Sequence, residues 1–372
     1  MDFKFSKEQK MFQDSARTFF NKEWSFDLLK EVLQSKGCSM NLWKKINALG
    51  WVGLLIDEKY GGIGGTLLDF FPILEEMGRV LFPSPIFSSS IFSTLILNEA
   101  AGKPIKDRLL PEMADGKVVI TYAIGEDGRC WSEDKIQMKA DRYEKTYILN
   151  GEKIFVPYIE VSDYLICCAK VKGVNGPTLF LVKSEDQGIT YAQLKTFSVD
   201  HYSKVVFDHV RVPEDHIIGS IGGGWEIIEK ALQKMVISRC AEMIGGMQKV
   251  LETTVKYVKE RKQFGVPIGS FQVIQHYCAE MAIDVETSKY ITYMAAWKAS
   301  ENLPCKKDIA MAKAWTGDAY QRMTALALQV HGAMGFTDEY NLHYYYKQAK
   351  SLQLMYGGSS YFRKIVAEEM GY

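Results

Sequence analysis

The sequence predicts an α+β protein in three parts. An all-helical amino-terminal domain covers residues 1–115, an antiparallel β-barrel or sandwich covers 116–219, and a carboxy-terminal four-helix bundle covers 220–372. Apolar residues recur every three or four positions at both ends of the chain, the spacing of helices with one buried face. Near residue 116 the period changes: Val118-Val119-Ile120-Thr121-Tyr122-Ala123-Ile124 is a β-type run, and short strand patterns alternate with turns to about 215. These connections are too short and non-helical for βαβ units, which argues for an antiparallel sheet.

The elements follow in order. Ser6-Lys7-Glu8-Gln9 offers a helix cap with an acceptor side chain behind it, and Phe12, Ala16, Phe19 and Phe20 share a face. Met40 to Leu49 makes a short helix. Tyr60-Gly61-Gly62-Ile63-Gly64-Gly65 reads as a loop, since so many glycines are too permissive for an element interior. It lacks the Lys-Ser/Thr of a P-loop and the spacing of a dinucleotide fingerprint, so a structural role is preferred. Leu67 to Leu81 is an amphipathic helix ended by Phe82-Pro83-Ser84-Pro85.

In the middle region, Ile148-Leu149-Asn150-Gly151-Glu152-Lys153-Ile154 predicts a hairpin turning at Asn-Gly, because both residues accept the positive φ of a tight turn. Asp163 to Val171, Thr178 to Val182 and Lys204 to Val212 continue the strands. Gly219-Ser220-Ile221-Gly222-Gly223-Gly224 then leads into four helices, at about 225–263, 270–301, 306–333 and 339–370. The first has Ile228, Leu232, Met235, Met243, Met247, Val250, Leu251, Val255 and Val258 on its apolar face. Gly265-Val266-Pro267 stops it, and Ser270 is placed to cap the next.

The 372 residues include forty-five basic and forty-five acidic side chains, so no overall field recruits nucleic acid or an anionic membrane. No apolar run reaches the roughly 20 residues needed to cross a bilayer, and the first residues, Met1-Asp2-Phe3-Lys4, lack a signal-peptide core. A cytoplasmic location is the expectation. The seven cysteines, at 38, 130, 167, 168, 240, 278 and 305, contain no Cys-x-x-Cys pair, which favours reduced thiols. Cys167-Cys168 sits in an apolar run, where packing is preferred over redox chemistry. His201, His209, His216, His276, His331 and His343 show no metal-ligand spacing, so no metal is expected.

The corner between the first two bundle helices reads Glu260-Arg261-Lys262-Gln263-Phe264-Gly265, then Ser270-Phe271-Gln272. An arginine and a glutamine there suit a phosphate, though spacing alone leaves a solvated corner open. With Gln329-Val330-His331-Gly332-Ala333-Met334-Gly335-Phe336, this wording resembles the acyl-CoA dehydrogenase family of flavoproteins. Leu49-Gly50-Trp51, Tyr60-Gly61-Gly62, Glu75-Glu76-Met77-Gly78-Arg79 and Val210-Arg211-Val212-Pro213 fit in the same order, so the resemblance spans essentially the whole chain.

The resemblance implies flavin adenine dinucleotide (FAD) between the β-domain and the bundle, its adenosine end touching a neighbouring subunit of a homo- or hetero-oligomer, dimer or tetramer. It places Arg261 and Phe264 at the pyrophosphate and adenine side, and Gln272 with the Gln329-to-Gly332 segment at the adenosine site. Tyr122-Ala123-Ile124-Gly125-Glu126 resembles the strand covering the flavin ring, and Gly151-Glu152-Lys153-Ile154-Phe155-Val156 the segment behind it. Where many members continue Trp-Ile-Thr, this chain has Phe155-Val156-Pro157, without the hydroxyl or the third N–H. An acyl-CoA substrate is implied, with electron-transfer flavoprotein or a similar acceptor as partner. The wording also resembles a branch whose members pair with a paralogous subunit and handle bulky, cyclic or branched acyl groups.

The family's chemistry removes an α-proton with a carboxylate while hydride leaves the β-carbon for the flavin. The tyrosine–glutamate pattern that supplies this base is matched here by Tyr356-Gly357-Gly358-Ser359, and the family's second base position falls on Met235. Neither is acidic. Glu242 and Arg239 share Met235's helical face, where an Arg239–Glu242 ion pair at i,i+3 competes with any active-site role. Tyr356 is a third candidate, although an ordinary phenol near pKa 10 is a poor base. Three readings stay open: a dehydrogenase with a displaced base, a non-dehydrogenating flavoprotein that performs β-elimination or serves as a silent subunit, and a helical scaffold without cofactor.

Overall fold

The computed structural model describes residues 5–35, 37–126, 132–338 and 340–372. Met1-Asp2-Phe3-Lys4 and Cys130 therefore lie outside the described residues. Among the described residues, six α-helices precede the sheet: α1 Lys7–Glu23, α2 Phe26–Leu33, α3 Met40–Ala48, α4 Leu67–Val80, α5 Thr94–Ala100 and α6 Lys103–Ala114. Ser6 and Gln9 form the expected reciprocal cap on α1, and Ala16, Phe19 and Phe20 are buried. A segment absent from the sequence reading, Ile86–Ser93, is a fully buried π-helix leading into α5. In the glycine loop, a Cβ on Gly62 would overlap the carbonyl of Ile56. Its role there is close backbone approach.

The strands are β1 Ile120–Ala123, β2 Lys139–Tyr143, β3 Thr146–Pro157, β4 Tyr164–Val171, β5 Pro177–Lys183, β6 Ile189–Gln193, β7 Tyr202–Pro213 and β8 Ile217–Ile218. They run β6-β7-β3-β2-β4-β5-β8 in one sheet, with β1 beside β4. The pairings are antiparallel apart from β1–β4 and β2–β4, which are parallel. The strand β4 is buried on both faces. Leu165, Cys167 and Ala169 pack with Phe180, Val205 and Phe207 inside the folded sheet, while Ile166 and Cys168 face the helices. Burial pushes both thiols up to about 12, as expected of packing cysteines.

The predicted hairpin at Asn150-Gly151 does not form. Both residues lie inside β3, at a register shift against β7, where Gly151 takes φ +148° and Asn150 Oδ1 accepts from the His209 N–H. The same backbone freedom that suits a turn serves a bulge here. The turn between β2 and β3 falls instead at Glu144, with φ +54°.

The bundle comprises α7 Gly224–Glu260, α8 Gln272–Ser300, α9 Lys306–His331, α10 Leu342–Leu354 and α11 Ser359–Glu369. The fourth predicted helix is thus two. Tyr356 and Gly357 take φ +61° and +117°, which no right-handed helix accepts. The break is clamped from α9: buried Lys313 Nζ donates to the carbonyls of Leu352 and Gln353, each at 2.9 Å. Asp318 accepts from Gln353 Nε2, from Ser359 Oγ and from Arg363. The first bundle helix ends earlier than its apolar pattern suggested. Lys262–Gln263 (β9) and Val266–Pro267 (β10) form a small hairpin, turning on Phe264 and Gly265 with φ +52° and +82°. Ser270 does not cap α8; its hydroxyl donates to the Pro267 carbonyl, and Phe271 holds the cap position.

Helices α4 and α7 cross at backbone contact, with Gly78 against the carbonyl of Glu242 and Gly245 against that of Glu75. One apolar core joins the amino-terminal helices, the outer face of β4 and β5, and α7. No helix among the described residues is long and apolar enough to cross a membrane.

Candidate active site

A cavity of about 370 Å³ opens between the sheet and the bundle. The sheet side supplies Tyr122, Gly125, Ile154, Phe155, Tyr202 and the Lys195-Thr196-Phe197 loop; Lys350, Ser351, Leu354, Met355 and Tyr356 come from α10 and the break that follows. A second register shift in β3, between Lys153 and Val156, places Ile154 and Phe155 on this wall, and Phe155 takes φ +55°. The Ile154 N–H donates to the Gly125 carbonyl at 2.8 Å. Lys153, fully buried, donates to the Ile124 carbonyl at 3.0 Å and pairs with Glu126 at 2.7 Å. These bonds fix the β1 extension against β3.

At the inner end of the cavity the hydroxyls of Tyr122 and Tyr356 stand 2.9 Å apart. The Arg239 guanidinium lies 3.5 Å from the centre of the Phe87 ring, on the π-helix, and its charge opposes the effect of burial on the Tyr356 hydroxyl. Arg239 holds Asp200 at 3.0 Å and Glu242 at 2.7 Å, all three buried. Asp200 further accepts from Tyr158 at 2.6 Å and from Tyr202 at 3.4 Å. Gln348 donates to Glu242 at 3.2 Å. Burial raises the Glu242 carboxyl above its ordinary range, against the pull of Arg239. Burial likewise raises the Tyr356 hydroxyl, with Arg239 opposing it.

The site residues named from the sequence fall in two places. Tyr122 and Phe155 line the cavity; Ile124 is buried beside it, its carbonyl taken by Lys153. Arg261, Phe264, Gln272, Gln329 and Gly332 are exposed at another part of the bundle, around a small cluster of Val258, Ile268 and Val330. None of these five lines the cavity. Met235 is fully buried in the core, and Glu242 is in the i,i+3 pair weighed from the sequence. Of the residues around the break, Tyr356 lines the cavity wall and Gly357 does not. Asp200 and Tyr202 escaped the sequence reading because their link to Arg239 is not local.

The residues present fit a flavin. The cavity wall is mostly apolar and aromatic, and it sits where two layers meet. At the outward corner, Phe264 is 93% exposed although its positive φ is strained, and Arg261 makes no ion pair among the described residues. An apolar ring and a cation held out in solvent suit a nucleotide from beyond the chain.

Models of the family's amino- and carboxy-terminal domains match residues 6–117 and 222–371. The short/branched chain specific acyl-CoA dehydrogenase of Bos taurus mitochondria is 30% identical over 321 residues, covering 84% of this chain and 73% of the relative. The CarC subunit of the caffeyl-CoA reductase–Etf complex of Acetobacterium woodii is 27% identical over 385 residues, covering 98% of each. The solved butyryl-CoA dehydrogenase of Megasphaera elsdenii superposes with a TM-score of 0.91 at 26% identity, over 100% of both chains. The chain belongs to the acyl-CoA dehydrogenase family. It is an oxidoreductase with FAD as its cofactor.

Proposed function

We propose that the protein oxidises or reduces the Cα–Cβ bond of a bulky, cyclic or branched acyl-CoA thioester, with no carboxylate at either of the family's usual proton-removing positions. The observation that carries this reading is the cavity itself: it is apolar, walled by the sheet and the bundle, and its titratable groups are three phenols and two lysines. FAD, when bound, exchanges the hydride at the β-carbon. This chain's residues then have three tasks. Phe155, Ile154 and Leu354 exclude water, Lys195 and Lys350 draw a polyanionic thioester towards the cavity, and the Tyr356 hydroxyl faces the reacting carbons with Tyr122 behind it.

Arg261, Phe264, Gln272, Gln329 and Gly332 are proposed to hold the adenosine end of a neighbouring subunit's FAD, which makes the active form an oligomer. Their exposure at a corner apart from the cavity supports this. A partner of the electron-transfer-flavoprotein type is proposed because the Acetobacterium relative is a subunit of a reductase–Etf complex. The missing carboxylate supports a second reading, in which the chain performs β-elimination or is the silent half of a hetero-oligomer.

Anaerobic mixing separates these readings. The oxidised protein is mixed with saturated acyl-CoAs, and the dithionite-reduced protein with α,β-unsaturated ones, while flavin absorbance near 450 nm is followed. Bleaching in the first case or recovery of colour in the second is expected. A flavin indifferent to every thioester, with or without a co-expressed paralogue, contradicts the proposal.

A further inference from the structure

We propose that the Tyr356 hydroxyl delivers the proton to the α-carbon when this cavity reduces an α,β-unsaturated acyl-CoA, with Arg239 and Tyr122 holding the phenolate left behind. The assignment rests on the acyl-CoA reading above and adds to it the group that handles the proton.

Geometry narrows the choice. Of the groups lining the cavity, Thr196 and Ser351 are aliphatic alcohols, too weakly acidic to serve. Lys195 is exposed on its loop, and Lys350 donates to Gln353 Oε1 at 2.8 Å. Tyr202 donates towards Asp200, a carboxylate that opposes loss of its proton. Tyr122 stands behind, 2% exposed, with its hydroxyl towards Tyr356. Tyr356 lines the cavity with its hydroxyl 2.9 Å from that of Tyr122, which can turn its proton to the Tyr356 oxygen. The positive charge of Arg239 also favours a phenolate there.

Arg239 lies between Asp200 and Glu242, at 3.0 and 2.7 Å, and these contacts hold its guanidinium behind the cavity. The position of Tyr356 is also built into the fold. The left-handed turn at 356, the Lys313 bonds to the α10 carbonyls and the Asp318 bonds across the break all hold it at the wall.

The balance of the step is simple. With FAD bound and reduced, the flavin would supply the two electrons and the hydride for the new C–H bond at the β-carbon. The π electrons of the Cα–Cβ bond move towards the thioester, giving an enolate. The enolate electrons then form the α-C–H bond with the proton of Tyr356 as its O–H bond breaks. Water at the cavity mouth returns a proton to the phenolate. A buried neutral phenol is a poor resting base but a loaded acid, and a thioester enolate is a far stronger base than a phenolate.

The test uses the full-length FAD-loaded protein, reduced with dithionite under anaerobic conditions and mixed with cinnamoyl-CoA as the probe. Tyr356→Phe should slow flavin reoxidation by about 100-fold or more, while FAD content and the ligand-induced shift of the flavin spectrum stay within about twofold of wild type. In D2O, wild-type reoxidation should slow by a solvent isotope effect of about twofold or more that Tyr356→Phe loses. Tyr356→Glu, which restores an acid at the same place, should recover at least about tenfold of the lost rate. A Tyr356→Phe protein that reoxidises within about threefold of wild type and keeps its isotope effect overturns the assignment alone. Wild-type protein that neither binds nor is oxidised by the enoyl-CoA overturns it together with the acyl-CoA reading.

Discussion

Gly78 of α4 lies flat against the backbone carbonyl of Glu242 on α7, so closely that a Cβ at position 78 would overlap it. The crossing sets the height of Glu242, and with it Arg239, behind the cavity. Gly78→Ala forces the helices apart, and overpacking of this kind costs about 1–3 kcal/mol or more. Urea unfolding should show a lower midpoint. FAD content should fall with it, since the displaced guanidinium no longer supports the cavity wall.

Removing the charge between the two acids is more damaging. Arg239→Met leaves Asp200 and Glu242 buried without their counter-ion, a loss of about 3–5 kcal/mol in comparable sites. The variant should unfold at markedly lower temperature or fail to accumulate. Glu242→Gln should be far milder, because burial already disfavours its charged form and the Gln348 bond can persist.

Lys313 gives a pH signature. Burial lowers its pKa from 10.5 to about 8, so between those values the unfolded chain binds more protons than the folded one. Stability from this group therefore rises as pH goes from about 8 to 10.5. Below pH 8 the charged lysine is held by the two α10 carbonyls at a net cost of burial. Lys313→Met should flatten that alkaline rise in a thermal-melt series. It should also free the carbonyls of Leu352 and Gln353 and loosen the turn at Tyr356, seen as weaker perturbation of the flavin spectrum by acyl-CoA.

Glu75 works in the opposite sense. Burial raises it from 4.5 to about 7, and Tyr293 donates to it. Between those values the folded state binds more protons, so stability from this group falls as pH rises from about 4.5 to 7. Glu75→Gln should remove that decline and leave the protein at least as stable at pH 8, measured by urea titration across the range.

Arg261→Gln tests the outward corner. If the guanidinium meets a neighbour's pyrophosphate, the variant should lose FAD on gel filtration while the apo chain melts within about 0.5 kcal/mol of wild type, as expected of an exposed side chain. Unchanged flavin content would place the pyrophosphate elsewhere.

The elements whose evidence is local were legible in the sequence. The α1 cap needs only Ser6 and Gln9, and the Arg239–Glu242 pair needs only i,i+3 spacing. What failed was the use made of backbone freedom: Asn150-Gly151 permits a turn or a bulge, and pairing with β7 decides between them. The apolar pattern of 339–370 likewise ran through Tyr356-Gly357, where clamping by Lys313 and Asp318 ends one helix and begins another. Asp200 was invisible for the same reason. Its partners Tyr158, Tyr202 and Arg239 come together only when the sheet folds onto α7.

A crystal structure with a non-reacting acyl-CoA analogue bound tests the account most directly. The thioester should enter between Phe155 and Leu354, with its α-carbon in contact with the Tyr356 hydroxyl and no carboxylate touching either reacting carbon. An analogue seated outside this cavity, or a carboxylate such as Glu242 swung against the α-carbon, would contradict it.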